Sequence, residues 1–231
     1  MNTGIDLEAV NRRFSQAGPA EIVAWAHQTF GAGLVMTSSF QTQSVPLLHV
    51  LSRVAPDVPV LFLDTGFHFP ETLEFRHELA TRFGLTVRDL RNDLGHDGFL
   101  TRHGELHRTD PDACCYLNKV APLKKALAHA NAWITGIRRD QTAQRAGVQA
   151  VSLEDGRYKV CPLVNWTDSD VAAYMHRHSL PDHPLLKRGY LSIGCAPCTR
   201  PVTTREDARS GRWSGTDKTE CGLHLPTVDP S

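Results

Sequence analysis

Residues 33–64 read GLVMTSSFQTQSVPLLHVLSRVAPDVPVLFLD, a stretch with two short apolar runs on either side of a helical pattern. The apolar runs, residues 33–37 and 59–64, are short and rich in branched side chains, as buried strands are. Residues 45–54 carry apolar side chains at helical spacing. Continuous apolar strands that alternate with helices are typical of a parallel sheet covered by helices on both faces.

The same alternation extends along the chain in both directions. Further elements are predicted as helices over residues 20–30, 71–83, 117–130 and 167–176, as strands over 85–90 and 132–137, and as a hairpin over 148–160. Residues 91–113 are polar and are predicted to form a long loop, which in a compact domain is more often functional than passive. The chain after residue 181 is also predicted to be mostly loop. We therefore expect one α/β domain over residues 1–200 and a flexible C-terminal segment over residues 201–231.

The composition is that of a soluble globular protein. Lys plus Arg and Asp plus Glu each number 25, and this zero net charge gives no indication of nucleic-acid or acidic-membrane binding. The first 14 residues contain no signal-peptide core, and no apolar run approaches about 18 residues. We therefore expect a cytoplasmic protein, in a compartment where its six cysteines stay reduced. Such cysteines indicate metal ligation or thiol chemistry before disulfides.

Four of the cysteines form two pairs far apart in the sequence, Cys114 with Cys115 and Cys195 with Cys198. The CxxC spacing of the second pair lets two thiolates face one metal centre. Adjacent cysteines point in different directions, so both reach a multi-iron cluster more easily than one tetrahedral zinc. Lys119, one helical turn after Cys115, is placed to offset the negative charge of four thiolates on a [4Fe–4S] core. A structural zinc, a thioredoxin-like redox CxxC and buried free thiols are the alternatives.

Two features are typical of an anion-binding site. Ser38 and Ser39 open the polar turn SSFQTQS before a helix, where free backbone N–H groups meet an anion. Arg138 and Arg139 follow a predicted strand, and arginine suits phosphate and sulfate oxygens. Four more arginines form a basic stretch near the C-terminus, namely Arg200, Arg205, Arg209 and Arg212. Taken singly, these features also fit a helix cap and solvated surface loops.

Cys221 stands apart from the other cysteines in the segment KTECGLH. A cationic neighbourhood favours the reactive thiolate form of cysteine, and Lys218 and His224 supply such charge, whereas Glu220 opposes it. A lone cysteine near a C-terminus is otherwise an ordinary exposed thiol. Cys161 lies in an apolar run and is predicted to be part of the core.

Five segments together resemble the assimilatory adenylyl-sulfate and phosphoadenylyl-sulfate reductases: DTGFHFPET, CCYLNKVAPL, WITGIRRDQ, HPLLKRGYLSIGCAPCTRP and KTECGLH. The resemblance runs from the SSFQTQS turn to the KTECGLH segment, which is most of the chain. The paired cysteines, the distant CxxC and the terminal ECGLH are specific, whereas the serine-rich turn is not. The family implies an adenine-nucleotide α-hydrolase-like α/β fold of the PP-loop type, with a mostly parallel sheet, helices on both faces and a C-terminal catalytic segment.

The resemblance also implies roles for individual residues. Cys221 matches the family's nucleophile, and the matches to the ligands of a [4Fe–4S] cluster are Cys114, Cys115, Cys195 and Cys198. Positions that match the sulfate end of the site are Lys119, Arg209, Arg212 and His224. Positions that match the nucleotide-facing loops are Ser38, Ser39, Asp64, Gly136 and Arg139. Because both cysteine pairs are present, the resemblance favours adenosine 5′-phosphosulfate over its 3′-phosphorylated form as the substrate.

The implied reaction has two steps. The Cys221 thiolate attacks the sulfate sulfur while AMP leaves, and a separate thioredoxin or glutaredoxin then releases sulfite. This reaction serves assimilatory sulfate reduction for cysteine biosynthesis. The sequence predicts no nucleic-acid and no membrane partner, and it is compatible with a homo-oligomer.

Three positions depart from the family pattern. Asn118 stands where the family often has arginine, and Gln41 stands where glycine is common. Gln43 replaces the acidic residue typical of PP-loops, which fits an enzyme that does not activate ATP through magnesium. The alternatives are the same chemistry on the 3′-phosphorylated nucleotide, a PP-loop ATP pyrophosphatase or RNA sulfurtransferase with a metal site, and a non-catalytic cluster-binding sensor or nucleotide-binding module.

Overall fold

A computed structural model describes residues 4–203 and 209–223 of the chain. Its strands are β1 (Leu34–Thr37), β2 (Val60–Leu63), β3 (Val87–Leu90), β4 (Ala132–Ile134), β5 (Val151–Glu154) and β6 (Arg157–Val160). Its helices are α1 (Leu7–Arg13), α2 (Pro19–Phe30), α3 (Val45–Val54), α4 (Pro70–Phe83), α5 (Gly95–His103), α6 (Leu106–Thr109), α7 (Pro111–Cys115), α8 (Ala121–Leu127) and α9 (Asp168–Arg177). Within the described ranges, no helix combines the length and the apolar character needed to cross a bilayer.

The six strands form one sheet in the order β3-β2-β1-β4-β6-β5. Strand β1 runs parallel to β2 and to β4, and β4 runs parallel to β6, whereas β5 and β6 form an antiparallel hairpin. Met36 of β1 is in register with Val60 on one side and with Ile134 on the other. All three residues are almost completely buried, as expected for strands covered on both faces. The predicted α/β fold with a mostly parallel sheet is therefore confirmed.

The chain divides into two compact units. The first contains Met1–Leu61, His77–Arg88 and His129–Pro181, and the second contains Phe62–Arg76, Asp89–Ala128 and Asp182–Ser231. The first unit has a core of fully buried side chains that includes Leu34, Leu47, Leu48, Leu51 and Val160. The second unit buries Phe62, Phe75, Phe99 and Leu185. The domain boundary predicted at residue 200 and the predicted cytoplasmic location stay predictions.

Residues 91–113 differ from the prediction, because they form helices α5, α6 and α7 rather than one loop. The start of α7 is set locally, since the Asp110 side chain accepts a hydrogen bond from the N–H of Ala113 and Pro111 occupies the first turn. Phe99 is the fully buried residue of α5. With so few apolar anchors, these helices carry too weak a periodic signal to be recognised in the sequence.

The predicted cap of α9 and the predicted burial of Cys161 are confirmed, whereas β4 is shorter than predicted. Thr167 caps α9, its hydroxyl accepts from the N–H of Asp170, and the Asp170 carboxylate accepts in return from the Thr167 N–H. Cys161 is fully buried, which confirms its predicted place in the core. Strand β4 ends at Ile134, three residues before the predicted end of that strand.

The core of the first unit makes a direct stability prediction. Replacing Leu48, which is fully buried, with alanine should lower the free energy of unfolding by about 2–5 kcal/mol, because the deletion leaves a cavity. The matched control is Leu153→Ala, since Leu153 is 50% exposed and should cost less than about 0.5 kcal/mol. Urea unfolding followed by circular dichroism measures both, and equal losses would contradict this description of the core.

Candidate functional site

The four paired cysteines line one cavity of the second unit. The two pairs, distant in sequence, are therefore brought together. The remaining lining residues are Thr65, Phe67, His107, Pro111, Asn118, Lys119 and Pro197. We call this space the cysteine cavity.

The first pair lies where a helix changes its winding. Cys114 and Cys115 end α7, and the chain continues through a wider π-helical turn, Tyr116–Val120, into α8. Such turns are rare and occur often at functional sites. Asn118 within this turn is buried, and its amide nitrogen lies 3.1 Å from the carbonyl oxygen and 3.7 Å from the sulfur of Cys114. The helical segment thus presents both sulfurs to the cavity and adds a polar contact to one of them.

The second pair is held by a tight turn. A short 3₁₀ turn, Ala196–Cys198, follows Cys195, and the N–H of Cys198 donates to the Cys195 carbonyl at 3.0 Å. The N–H of Ala196 donates to the carbonyl of Phe67 at 2.7 Å, which ties the turn to the segment after β2. The hydroxyl of Thr65 lies 3.3 Å from the Cys195 sulfur. The CxxC turn is therefore fixed at both its backbone and its first sulfur.

Burial opposes ionisation of the cysteines that line the cavity. Burial, together with the neighbouring thiols, raises the pKa of Cys114 to about 12, and burial and Cys195 raise the pKa of Cys198 to about 11. Burial also raises the pKa of Cys115. Burial alone would lower the pKa of the Lys119 ammonium, but the charges of Cys195, Cys115 and Cys221 raise it overall. These thiols would ionise together only beside a centre of positive charge.

The donor set indicates which group the cysteine cavity suits. Four cysteine sulfurs are the usual ligands of a [4Fe–4S] cluster, and Thr65 and Asn118 stand where they can donate hydrogen bonds to sulfur. In the part of the chain that the structure describes, no group of three or more His, Cys, Asp or Glu side chains is spaced to hold a metal ion. The fit to a four-cysteine cluster therefore rests on the chemistry of the four sulfurs that line the cavity.

Cys221 is half-buried in a segment that docks on the helix bearing the first cysteine pair. A Cβ built on the next residue, Gly222, would lie 3.5 Å from Val120 in the π-helical turn. The charge of Cys221 is one of those that act on Lys119 in the same turn. Cys221 is thus brought near both Lys119 and the cysteine cavity.

Ion pairs hold this segment in place. Lys218 pairs with Asp112 of α7, and its side chain is only 6% exposed. Arg209 donates to the Thr219 carbonyl at 2.8 Å and pairs with buried Glu220 at 3.3 Å. Lys218 and Glu220, which were expected to act on Cys221 through their charges, are thus each paired with an opposite charge. His224 and Arg205 lie outside the described residues.

Arg212 lies beside the CxxC turn. It donates from Nη1 to the Ile193 carbonyl at 3.2 Å, and its guanidinium carbon lies 4.3 Å from the centre of the buried Trp213 ring. Burial raises the pKa of Cys198, and Arg212 is among the charges that oppose this rise. Arg212 and Lys119 are thus two cations close to the cysteines.

Asp64 follows β2 and already has partners. Its carboxylate accepts from the N–H of Gly66 at 3.1 Å and from Arg91 Nε at 2.8 Å. Burial would raise the pKa of Asp64, but these hydrogen bonds outweigh it and lower that pKa. Asp64 therefore shapes the turn after β2 as an ionised group.

Four of the five predicted nucleotide-facing residues lie in the first unit, where they follow β1 or β4. The hydroxyls of Ser39 and Ser44 lie 3.1 Å apart, and Ser38 accepts from the N–H of Phe40 at 3.1 Å. A Cβ on Gly136 would touch Leu47 at 3.5 Å. Arg139 donates to the Val148 carbonyl and to Asn165, each at 2.7 Å. Its guanidinium is thus held by the protein itself.

Arg138 has a larger structural role than the sequence indicated. Its side chain is 1% exposed and bonds to Asp140 at 3.0 Å, to Gln43 at 2.9 Å and to Asp168. Gln43 in turn donates to Asp168 at 3.1 Å. The glutamine at the PP-loop position therefore belongs to a buried network that fixes the turn after β1. The adjacent arginines signalled a functional loop, but not which of them is buried.

Comparisons with known proteins agree with this architecture. The family described as phosphoadenosine phosphosulfate reductase domain matches residues 33–201. Adenosine 5′-phosphosulfate reductase of Halalkalibacterium halodurans is 40% identical over 95% of this chain and 97% of its own length. The protein of that name from Streptomyces coelicolor is 43% identical over 94% and 92%.

Solved structures show the same relationship. Phosphoadenylyl-sulfate reductase of Candida auris, in a phosphate complex, superposes with a TM-score of 0.74 and 29% identity over 83% of this chain and 94% of its own. FMN adenylyltransferase of Candida glabrata, at 15% identity and a TM-score of 0.59 over 84% of this chain and 65% of its own, shares the fold alone. The family match, which covers most of the chain, and the full-length relatives place the chain in the phosphoadenosine phosphosulfate reductase family.

Proposed function

We propose that this protein reduces adenosine 5′-phosphosulfate to sulfite and AMP, with Cys221 as the attacking thiol. Relatives that align with nearly the whole chain carry the name adenosine 5′-phosphosulfate reductase. The observation that carries the proposal is the position of Cys221, because its segment docks on the turn that bears Lys119 and its charge acts on that lysine. A thiol beside a cation is suited to attack an anionic ester.

The first step is a displacement at sulfur. The Cys221 thiolate attacks the sulfonyl sulfur, a sulfur–sulfur bond forms, and the bond from sulfur to the bridging phosphate oxygen breaks. AMP leaves with the electron pair of that bond, and Cys221 becomes S-sulfocysteine. Lys119 and Arg212 offset the charge that otherwise repels a thiolate from the sulfonate.

The second step requires a dithiol carrier, such as thioredoxin or glutaredoxin. One carrier thiolate attacks the Cys221 sulfur, and sulfite leaves with the electron pair of the sulfur–sulfur bond. The second carrier thiol then attacks the mixed disulfide, so Cys221 returns as a thiolate and the carrier becomes a disulfide. The carrier thereby supplies the two electrons that reduce the sulfur of the substrate from the oxidation level of sulfate to that of sulfite. This is a reducing step of assimilatory sulfate reduction.

We also propose that Cys114, Cys115, Cys195 and Cys198 hold a [4Fe–4S] cluster. When bound, the cluster supplies a compact anionic centre that fixes both cysteine pairs. Thr65 and Asn118 would donate to its cysteine sulfurs, and Lys119 would balance its charge on the side of Cys221.

The assignment of substrate-binding residues follows their positions. Lys119 lines the cysteine cavity, Arg209 contacts the segment of Cys221, and Arg212 lies beside the CxxC turn, so we assign these three to the sulfonate. The residues assigned to the nucleotide stay predictions from the resemblance: Ser38, Ser39, Asp64, Gly136 and Arg139. His224 stays a prediction for the sulfonate.

Cys221→Ser should lower sulfite formation at least about 1,000-fold, because a hydroxyl does not ionise near neutral pH and cannot replace the thiolate. Sulfite release with reduced thioredoxin is the assay. Mass spectrometry of the wild type without carrier should show an adduct of about 80 Da, the mass of SO₃, on the Cys221 peptide. The control, Cys161→Ala, changes a buried thiol outside the site and should retain activity. Sulfite release by Cys221→Ser above a tenth of the wild-type rate would exclude this mechanism.

Cys198→Ser should reduce bound iron and inorganic sulfide, since it removes one of four ligands of the proposed cluster. Anaerobically purified wild-type protein should contain about four irons per chain and absorb visible light. Iron analysis and absorption spectra of Cys198→Ser and of the control Cys161→Ala test this without an activity assay. Zinc in place of iron in the wild type would contradict the cluster.

The same chemistry on the 3′-phosphorylated nucleotide is the second candidate, because the structurally similar Candida auris protein is a phosphoadenylyl-sulfate reductase. Side-by-side assays of both nucleotides with thioredoxin should give a kcat/KM at least about tenfold higher for adenosine 5′-phosphosulfate. The reverse ratio would favour the second candidate.

A further inference from the structure

Gly194 and Arg212 are in unusually close contact in the second unit. A Cβ built on Gly194 would lie 2.3 Å from Nη2, 2.5 Å from Cζ and 2.9 Å from Nε of Arg212. These distances are shorter than any non-bonded contact between such atoms. The guanidinium therefore occupies the volume that any side chain at position 194 would need.

A side chain at position 194 would therefore require the guanidinium to leave the contacts that hold it. Arg212 Nη1 donates to the Ile193 carbonyl at 3.2 Å, and the guanidinium carbon lies 4.3 Å from the centre of the Trp213 ring. Its Nε is buried and finds no hydrogen-bond partner among the residues that the structure describes. The guanidinium is thus enclosed by the backbone of residues 193–194 and an aromatic ring.

The backbone around Arg212 is attached to the CxxC turn as well. Arg212 forms an isolated antiparallel bridge with Thr199, and the N–H of Trp213 donates to the Cys198 carbonyl at 3.0 Å. Gly194 immediately precedes Cys195 at the other end of the turn. Arg212 is therefore fixed to the cysteine-bearing turn through both its backbone and its side chain.

The backbone of Gly194 does not itself require glycine. Its φ lies outside the left-handed region in which L side chains are strained, unlike that of Gly189 or Gly222. The guanidinium is the group that fills the space, so the requirement for glycine comes from Arg212.

We infer that Gly194 is a positioning residue that sets the location of the Arg212 guanidinium beside the cysteine cavity. The inference rests on the proposed function, in which Arg212 binds the sulfonate of the substrate. A side chain at position 194 would displace this cation from the sulfonate site while leaving the four cysteines in place. Gly194 would thereby determine affinity for the sulfonate, without contacting the substrate.

The test compares Gly194→Ala, Arg212→Ala and the double variant, with Gly147→Ala as the matched control, because a Cβ on Gly147 meets nothing within 4 Å. All carry Cys221→Ser, so that the nucleotide is bound but not consumed. Calorimetry should show that Gly194→Ala weakens binding of adenosine 5′-phosphosulfate at least about tenfold, and binding of AMP, which lacks the sulfonate, less than about twofold. Adding Gly194→Ala to Arg212→Ala should change either affinity less than about twofold.

Two outcomes would overturn the inference: equal weakening of both nucleotides by Gly194→Ala, or a tenfold further loss in the Arg212→Ala background. A measurement without substrate separates this inference from the proposed function. In thermal unfolding, Gly194→Ala should lower Tm by about 4 °C or more alone, but by less than about 1 °C beside Arg212→Ala. Additive Tm changes overturn the positioning role, whereas absent sulfite release by the wild-type protein overturns the proposed function alone.

Discussion

Sulfur atoms that are buried together cannot all carry negative charge unless positive charge is placed beside them, and the second unit is organised around this constraint. Burial and the neighbouring thiols raise the pKa of Cys114 to about 12 and that of Cys198 to about 11, because ionising closely spaced buried thiols is costly. The opposite effect on Lys119, whose pKa rises although burial alone would lower it, expresses the attraction of the thiolates for a cation. The π-helical turn supplies Lys119 and the segment after the CxxC turn supplies Arg212, so two cations lie close to these sulfurs.

The sheet could be predicted from the sequence because its signals are local. Residues 33–64 contain two strands and a helix, and their apolar patterns can be interpreted without any other part of the chain. Thr167 and Asp170 likewise mark the start of α9 in the sequence. The helices within residues 91–113 were not predicted, because their sequence carries few such local signals. Their stability depends on a few buried anchors such as Phe99 and on the cap at Asp110, which are tertiary or single-residue features.

The site was only partly predictable. Two distant cysteine pairs are distinctive in any sequence, and they line one cavity. The partners of the charged residues are set by tertiary contacts, which the sequence does not reveal. Neighbouring arginines illustrate this point, because Arg138 is buried in a network with Gln43 and Asp168, whereas Arg139 bonds to Val148 and Asn165. Identical side chains one position apart thus have different surroundings.

The attachment of the Cys221 segment has a kinetic consequence. The ion pairs of Lys218 with Asp112 and of Arg209 with Glu220 join it to the rest of the second unit, and Asp112 is 83% exposed. An ion pair with one exposed partner contributes about 1 kcal/mol or less and weakens as ionic strength rises. The two half-reactions place opposite demands on this segment, since a nucleotide is best attacked in a closed site and a protein dithiol needs an accessible sulfur. The Lys218–Asp112 pair therefore adds little to the barrier against release of this segment, whereas the more buried Arg209–Glu220 pair is costlier to break.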